Sequence, residues 1–162
     1  MIDNPRERAQ AALSCHGNAI LRMAWSYLHN IHDAEEILQE TMIQYIRHAP
    51  DFESESYEKA WLLTVAANLS KNRIRYNKIR SADQIRDDLM AEDREDLAFV
   101  WEAVGMLPEK YREVIHLYYQ EGYSTSQTAE ILSIPESTVR VRMNRARKQL
   151  KEILKEAYDF EG

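Results

Sequence analysis

The sequence predicts an all-α protein with two small helical domains joined by an acidic linker, the second domain being a helix-turn-helix. Four Gly and four Pro among 162 residues are too few turn-forming residues for an all-β chain. Apolar residues recur at three- and four-residue spacings, whereas no segment alternates for long enough to be a strand. The net charge is −6, yet the charges are grouped into two basic stretches among acidic ones.

The first domain, residues 1–80, is predicted to contain three helices, at about residues 6–28, 33–48 and 56–80. Asp33-Ala-Glu-Glu36 has the form of a capping box, which predicts the start of the second helix, and Pro50 follows its end. The third helix is strongly basic, because residues 59–80 contain six Lys or Arg and no acid. Residues 33–58 instead carry a net charge of −7, so the domain has one acidic and one basic segment.

Residues 81–96 are predicted to be the linker, with seven acids against two Arg, and the second domain covers residues 97–162. Four helices are predicted in that domain, at about residues 97–105, 108–120, 125–132 and 136–157. Ser124-Thr-Ser-Gln127 is a second capping box, and it opens a short helix that a tight turn separates from the basic last helix. This order of elements is typical of a helix-turn-helix, whose second helix enters the major groove of DNA.

The last helix has two distinct faces when its residues are placed about 100° apart around the axis. An apolar stripe contains Val139, Met143, Ala146, Leu150 and Ile153. The opposite face contains Ser137, Arg140, Val141, Asn144, Arg145 and Lys148. A basic helix face is often only solvated, but its position in a helix-turn-helix favours DNA recognition by this second face.

The 56–80 helix has a comparable arrangement. Its predicted apolar stripe consists of Trp61, Leu62, Val65, Leu69 and Tyr76. Along another face runs a polar row, with Thr64, Asn68, Lys71, Arg75 and Lys78. Such a row suits a nucleic-acid backbone, although the residues of this helix by themselves fit a solvated stripe equally well.

The 33–48 helix is the acidic counterpart of the two basic helices. Its predicted buried face consists of Ala34, Ile37, Leu38, Thr41 and Tyr45. Asp33, Glu36 and Glu40 gather on the opposite side, with Ile43 among them. The helix dipole stabilises acids near the start of a helix, which explains part of the pattern. An apolar residue surrounded by acids also suits a basic, partly apolar protein partner.

Composition argues against several other kinds of function. The single cysteine, Cys15, excludes an intramolecular disulfide and a CxxC site. No apolar run approaches the roughly 20 residues that span a bilayer, and the N-terminus lacks a signal-peptide core, so a cytoplasmic protein without membrane insertion is expected. His29 and His32, with Cys15-His16, could offer metal ligands, but no third ligand has suitable spacing. We therefore expect no metal, no cofactor and no enzymatic activity.

Four motifs, in their order and spacing, resemble those of the bacterial extracytoplasmic-function (ECF) sigma factors. They are Asp33-Ala-Glu-Glu-Ile-Leu-Gln-Glu40, Ala60-Trp-Leu-Leu-Thr-Val-Ala-Ala-Asn68, Leu107-Pro-Glu-Lys-Tyr-Arg112 and Ser137-Thr-Val-Arg-Val-Arg-Met-Asn-Arg-Ala-Arg147. The resemblance covers about residues 10–155. It implies a subunit that binds core RNA polymerase and directs promoter-specific transcription initiation, and that is not an enzyme.

The resemblance implies that the first domain binds the polymerase clamp and melts the −10 promoter element. The positions that match the contact with the coiled coil of the largest polymerase subunit are Asp33, Glu36, Gln39 and Glu40. The loop Ala49–Ser56 matches the segment that captures a flipped non-template base, with Phe52 at a pocket position. The positions that match residues near the −10 strand are Asn68, Lys71, Asn72 and Arg75.

The resemblance also implies that the second domain reads the −35 element and contacts the flap of the second-largest polymerase subunit. The positions that match base-reading residues are Arg140, Val141, Asn144 and Arg145. Ser137 and Thr138 would contact phosphate from the start of the helix, and Lys148 is expected to contact phosphate as well. The family further implies an anti-sigma factor as a regulatory partner.

Four residues of the second domain depart from the family pattern. Thr128 stands where the family has an aliphatic core residue, and Ser133 stands at the small-or-Gly position of the turn. Ser137 replaces a Gly, and Val141 stands where a Ser is common. Val141 could offer a methyl contact to thymine in place of a hydrogen bond, so the promoter sequence cannot be transferred from relatives.

A free-standing helix-turn-helix regulator that never joins polymerase is the main alternative. It would explain residues 134–155, which carry a net charge of +5. It leaves the acidic face of the 33–48 helix and the polar row of the 56–80 helix without a role. Such regulators also usually bind paired half-sites as dimers, and the sequence contains no heptad zipper.

Overall fold

A computed structural model describes residues 4–48, 50–80 and 98–158 of the chain. Within those ranges the regular elements are helices, and the chain divides into an N-terminal and a C-terminal compact unit. The predicted all-α class is confirmed. The predicted linker, residues 81–96, lies outside the described ranges. None of the helices inside them is both long enough and apolar enough to cross a bilayer.

The N-terminal unit consists of three helices, α1 (Pro5–Leu28), α2 (Ile31–His48) and α3 (Glu55–Arg80). Asn4 caps α1, because its Oδ1 accepts a hydrogen bond from the N–H of Arg6 at 2.8 Å. The helix ends at His29, which adopts a left-handed conformation (φ 52°) and donates its N–H to the carbonyl of Trp25 at 2.8 Å. This conformation stops the helix and allows the chain to turn into α2.

The start of α2 differs from the prediction. Asn30 Oδ1 accepts a hydrogen bond from the backbone N–H of Asp33 at 2.9 Å, and Ile31 is the first helical residue. Asn30 is therefore the capping residue, three positions before the predicted cap, Asp33. Asp33 lies inside the first turn, where the helix dipole favours its charge and its carboxylate can reach another helix.

The core of the N-terminal unit joins all three helices. α1 contributes mostly small side chains, which allow close helix packing: Ala9, Ala12, Ala19, Ile20, Met23 and Ala24. α2 contributes Ala34, Ile37, Thr41 and Tyr45, and α3 contributes Leu62, Leu63, Ala66 and Ala67. The predicted stripe of α2 is confirmed at these positions. The predicted stripe of α3 is wrong at Tyr76, which is 55% exposed.

The C-terminal unit contains α4 (Ala98–Val104), α5 (Glu109–Ile115), α6 (Thr125–Leu132) and α7 (Glu136–Tyr158). The sequence predicts one helix over residues 108–120, whereas α5 passes into a wider helical turn at His116–Gln120. In that turn the N–H of Glu121 donates to the carbonyl of His116, five residues earlier, at 3.1 Å. A turn of this π type widens the helix and shifts the side chains that follow it.

The helix-turn-helix consists of α6, a tight turn and α7. The predicted capping box is confirmed: Gln127 N–H donates to Ser124 Oγ at 3.0 Å, and Ser124 N–H donates to Gln127 Oε1 at 2.9 Å. Ser133 takes the left-handed conformation at the end of α6, with φ 59°. The N–H of Ile134 then donates to the carbonyl of Ala129 at 3.1 Å, which closes the turn.

The core of the C-terminal unit, as far as residues 98–158 show it, contains an unfavourable polar group. Its apolar members include Ala103, Leu107, Val114, Leu117, Ile131, Val139, Met143 and Ala146. Thr128 is fully buried among the residues of α6, and no described residue offers its hydroxyl a hydrogen bond. A buried hydroxyl without a partner reduces the free energy of unfolding, so the departure from an aliphatic residue at this position destabilises the unit.

Candidate nucleic-acid and polymerase interfaces

The polar face of α7 is exposed along its whole predicted extent. Its exposed members are Ser137, Arg140, Val141, Asn144, Arg145 and Lys148, while Thr138 is half-buried. On the opposite side Val139, Met143 and Ala146 are 1%, 2% and 0% exposed. The predicted separation of the two faces is confirmed. Val141 is 44% exposed, so its methyl groups are available for an apolar contact on a face that is otherwise polar.

Arg140 is held near the start of α7 by an acidic neighbour. Its guanidinium donates to Glu136 Oε2 at 2.9 Å, and the same oxygen accepts from Thr125 Oγ1 at 2.7 Å. The side chain of Arg140 is nevertheless 64% exposed. An exposed pair at this spacing contributes only about 0.3–0.5 kcal/mol, so an external acceptor can replace Glu136 at small cost.

The loop of residues 50–54, between α2 and α3, carries Phe52, whose ring packs on two other aromatic rings. The Phe52 ring centroid lies 6.3 Å from that of Tyr45 and 5.9 Å from that of Trp61. The Tyr45 and Trp61 centroids are 6.0 Å apart, in an edge-to-face arrangement. Phe52 is half-buried, so one side of its ring is fixed while part of it remains open to solvent.

The same loop is tied to α1 by polar contacts, and Tyr45, which packs on Phe52, is hydrogen-bonded to α3. Arg8 donates to the carbonyl of Pro50, lies 3.8 Å from Asp51 Oδ1, and has its Cζ 5.8 Å from the centroid of the Tyr45 ring. The hydroxyl of Tyr45 donates to Glu58 Oε2 at 2.6 Å. Burial, together with the Glu58 carboxylate, raises the pKa of Tyr45 to about 12. The loop is therefore positioned by side chains of all three helices.

The middle members of the predicted polar row of α3 are accessible to solvent. Asn68, Asn72 and Arg75 are exposed, and Arg75 donates to Asn72 Oδ1. Lys71 is half-buried, with its Nζ 5.9 Å from the centroid of the Tyr27 ring. Asn68, Lys71 and Arg75 belong to the predicted row, whereas Asn72 does not, and Asn72 lines the groove between α2 and α3.

The ends of the predicted α3 row contribute less. Thr64 is half-buried and its hydroxyl donates to the carbonyl of Ala60 at 2.9 Å, within its own helix. The side chain of Lys78 lies outside the described side chains. Tyr76, which the prediction placed in the core, is instead exposed close to this end of the row.

The four residues predicted to bind polymerase lie along α2: Asp33, Glu36, Gln39 and Glu40. Arg73 of α3 donates to Asp33 Oδ1 at 2.9 Å and to Glu36 Oε1 at 2.8 Å. Glu40 Oε2 accepts from Gln44 Nε2 of its own helix at 3.3 Å, so all three carboxylates already have a partner within the chain. Ile43 is 46% exposed beside them, as predicted. Glu36, Gln39, Glu40 and Ile43 line an open groove of about 490 Å³ between α2 and α3.

Comparison with known proteins identifies both units. The family model described as Sigma-70 region 2 matches residues 13–79, and the model described as Sigma-70, region 4 matches residues 100–150. The ECF RNA polymerase sigma factor SigW of Bacillus subtilis (strain 168) is 30% identical in an alignment that covers 85% of this chain and 83% of SigW. The chain belongs to the ECF family of RNA polymerase sigma factors.

Other similar proteins agree with this family. The RNA polymerase sigma-H factor of Pseudomonas aeruginosa is 29% identical over 85% of this chain and 83% of its own length. A chain in the co-crystal structure of the sigma factor RpoE with the anti-sigma factor NepR from Bartonella quintana superposes with a TM-score of 0.72. That match has 26% identity and covers 90% of this chain and 96% of the other.

As a sigma factor, the chain binds core RNA polymerase and promoter DNA and directs promoter-specific initiation, and it is not an enzyme. The match of residues 13–79 to region 2 decides against a free-standing helix-turn-helix regulator, because such a regulator has no need of that region. The resemblance seen in the sequence motifs is confirmed.

Sequence reasoning missed the buried polar contacts that support the helix-turn-helix of the sigma factor. Glu113 of α5, only 3% exposed, lies 3.7 Å from Arg142 of α7. His116 Nε2 lies 3.1 Å from Glu121 Oε2, with side chains 7% and 1% exposed. Burial, together with the charge of Glu121, raises the pKa of Tyr123 to about 12. A signal was available at Glu113, which occupies an apolar position in the repeat of α5.

The histidines and cysteine considered as metal ligands have other neighbours in the sigma factor. His32 Nε2 lies 3.3 Å from Glu36 Oε2, and Cys15 Sγ lies 4.0 Å from Glu55 Oε2. Across residues 4–48, 50–80 and 98–158, His, Cys, Asp and Glu form no group of three or more that could hold a metal ion.

Proposed function

We propose that this sigma factor uses one surface for polymerase and two for promoter DNA. Residues 1–80 are assigned to polymerase binding and −10 recognition, residues 81–96 to a linker, and residues 97–162 to −35 recognition. The exposed face of α7 carries the proposal, because its donor and acceptor side chains face solvent on the second helix of a helix-turn-helix. Such a protein acts where the polymerase acts, in the bacterial cytoplasm.

The −35 element is read by four side chains at the start and middle of α7. They are Arg140, Val141, Asn144 and Arg145. Arg140 can donate two hydrogen bonds to a guanine, and Val141 can contact the methyl group of a thymine. Ser137, Thr138 and Lys148 bind backbone phosphates, which fixes the position of the helix without selecting bases.

The −10 element is bound by the loop of residues 50–54 and the polar row of α3. Phe52 forms one wall of the pocket for a flipped base, since its ring is held by Tyr45 and Trp61 and remains partly open. Unstacking a base costs a few kcal/mol, so a pocket wall that is already fixed reduces the further cost of ordering the loop. The neighbouring strand is bound by Asn68, Lys71, Asn72 and Arg75.

Polymerase is bound by α2 through the coiled coil of its largest subunit. The contact is formed by Asp33, Glu36, Gln39 and Glu40, with Ile43 as an apolar centre. Arg73 holds Asp33 and Glu36 in a fixed geometry, so the acidic face is ordered before the partner arrives. The C-terminal unit contacts the flap of the second-largest subunit, and Met106, which is 58% exposed, offers it an apolar group.

A regulatory partner is proposed from the family. The similar structure of RpoE contains an anti-sigma factor. We expect an anti-sigma factor to bind this chain as well and to cover surfaces that polymerase needs. Binding of the two partners is then mutually exclusive, which a competition experiment with labelled core polymerase would detect.

Run-off transcription with core RNA polymerase and a randomised promoter library tests the proposal. Added sigma factor should select templates with two conserved elements and stimulate initiation from them. Three single variants should have different defects. Phe52→Ala should weaken −10 selection, Arg140→Ala should relax selection at one base pair of the −35 element, and Glu40→Ala should weaken polymerase binding. Absence of stimulation by the unchanged chain, or one common defect in all three variants, would refute the assignment of separate surfaces.

A further inference from the structure

Tyr119 lies beside the polar face of α7 although it belongs to the wide turn His116–Gln120. Its side chain is 53% exposed. The hydroxyl of Tyr119 accepts a hydrogen bond from Arg147 Nε at 3.1 Å, and Arg147 Cζ lies 5.8 Å from the ring centroid. Neither residue belongs to the surfaces assigned above. Their contact joins the turn before the helix-turn-helix to its second helix.

Arg147 lies on the same side of α7 as Arg140 and Asn144, two of the proposed base readers. It follows Arg140 by two helical turns, and its guanidinium donates to Asn144 Oδ1 at 3.4 Å. Seven residues of helix span about 10 Å, which is close to the roughly 12 Å width of the major groove. A helix that reads bases near Arg140 therefore brings Arg147 to the phosphate backbone at the edge of the groove.

The hydrogen-bond geometry leaves a donor on each residue. A tyrosine hydroxyl that accepts from Arg147 still has its own hydrogen to donate, and a guanidinium carries five N–H groups, of which these contacts use two. The Tyr118 ring packs edge-to-face on Tyr119 with centroids 4.9 Å apart, which restricts the orientation of the Tyr119 ring. Both residues are exposed, so an anion with several oxygens can accept from both remaining donors.

We propose that Tyr119 and Arg147 form a phosphate-binding pair at the edge of the −35 site. Each donates to one phosphate of the DNA backbone, Tyr119 as a neutral donor and Arg147 as a cation. The proposal rests on the DNA-binding role proposed for α7. The pair strengthens promoter binding and fixes the position of α7 in the groove, but it does not select bases.

The test uses holoenzyme assembled from the full-length chain and core polymerase, with promoter duplexes selected from the randomised library. Tyr119→Phe removes one oxygen and should weaken binding about three- to tenfold on every duplex, whatever its −35 sequence. Its dependence on salt should stay unchanged, because no charge is lost. Arg147→Ala should also weaken binding, and should reduce the slope of log affinity against log salt by about one.

A control variant and modified duplexes test whether Tyr119 contacts a particular phosphate. Tyr118→Phe is the matched control, since Tyr118 is the neighbouring tyrosine and lies on the same turn, and it should bind like the unchanged chain. Replacing single −35 phosphates by neutral methylphosphonate should reveal one position where the unchanged chain loses affinity and Tyr119→Phe loses less. Thermal unfolding followed by circular dichroism should show that both phenylalanine variants are folded.

Several results would overturn the proposal. Tyr119→Phe could bind at full strength, or its loss could be confined to one substituted base pair. It could also cause no further loss in an Arg147→Ala background, which would mean that Tyr119 acts only by holding Arg147. If Arg140→Ala and Arg145→Ala leave binding unchanged too, the DNA-binding role of α7 fails. If those two weaken binding and Tyr119→Phe does not, only the phosphate pair fails.

Discussion

The two candidate DNA surfaces are held in place by different kinds of contact. On α7, the polar side chains project from a helix whose other face is buried, and Arg140 and Asn144 have partners on the same helix. In the N-terminal unit, the loop that carries Phe52 is held by Arg8 of α1, Tyr45 of α2 and Trp61 of α3.

This difference predicts how each surface responds to mutation. On α7 the DNA-binding side chains are exposed and Arg140 and Asn144 have exposed partners within the same helix, so they can be exchanged with little effect on stability. The loop surface depends on tertiary contacts, so a change there alters stability and function together. A rigid helix suits the reading of intact duplex DNA, whereas a supported loop suits the capture of an unstacked base.

The largest expected effect on stability comes from removing one of the aromatic rings that support Phe52. Tyr45→Ala should lower the free energy of unfolding by about 3–5 kcal/mol, because Tyr45 is 1% exposed and packs on two other rings. Denaturant unfolding measures this loss, and permanganate reactivity of −10 thymines should show a loss of promoter melting. Asn144→Ala on α7 is the contrasting change, and it should alter stability by less than about 0.5 kcal/mol while it weakens promoter binding. Equal destabilisation by both would contradict the comparison.

A second experiment separates base reading from phosphate binding within α7. Arg140→Ala should cost about 1–3 kcal/mol at one base pair of the −35 element and relax selection there. Lys148→Ala should weaken binding uniformly across sequences and reduce the salt dependence. Affinities of the holoenzyme for singly substituted duplexes give both numbers. A uniform loss from Arg140→Ala would reassign it to phosphate contact.

In each unit, the free energy of unfolding at high pH should depend on the titration of one tyrosine. Burial, with a nearby carboxylate, raises the pKa of Tyr45 and that of Tyr123 to about 12. An unfolded tyrosine titrates near pH 10, so the folded chain holds these protons more tightly. The resulting stabilisation is complete below pH 10 and is lost as pH rises through 12, at about 1 kcal/mol per pH unit for each tyrosine.

Matched phenylalanine variants check this pH dependence. Tyr45→Phe should remove the alkaline loss from the N-terminal unit, and Tyr123→Phe should remove it from the C-terminal unit. Unfolding is followed between pH 9 and 12, about the range in which these groups titrate, and tyrosinate absorbance reports the titration. An unchanged pH dependence in both variants would show that other groups control alkaline unfolding.

The smallest expected effect concerns the core beneath α7. Thr128→Val should raise the free energy of unfolding by about 1 kcal/mol, because it replaces a buried hydroxyl without a partner by a methyl group. Promoter affinity should not change, since Thr128 does not reach the polar face of α7. Thr128→Ser keeps the hydroxyl and removes a methyl, so it should destabilise. A destabilising Thr128→Val would show that the hydroxyl is satisfied by water.

Much of the fold and part of the candidate site could be predicted because helices have local signatures. The capping box at Ser124 and the two faces of α7 follow from residues within one element, and the structure has them where the sequence places them. The exposed position of Ile43 also follows from the repeat of α2. The start of α2 was misplaced because Asn30 and Asp33 are both good capping residues, and only the backbone geometry selects between them.

The sequence by itself determined that the chain is helical, the two faces of α7 and the family, since each of these depends on periodicity and motif spacing along the chain. Only the tertiary structure decided which distant groups meet. Arg73 pairs with Asp33, 40 positions earlier, and Tyr119 reaches Arg147, 28 positions later. Such pairs depend on how two helices cross and on where a wide turn shifts the register, and neither is encoded in the repeat of a single helix.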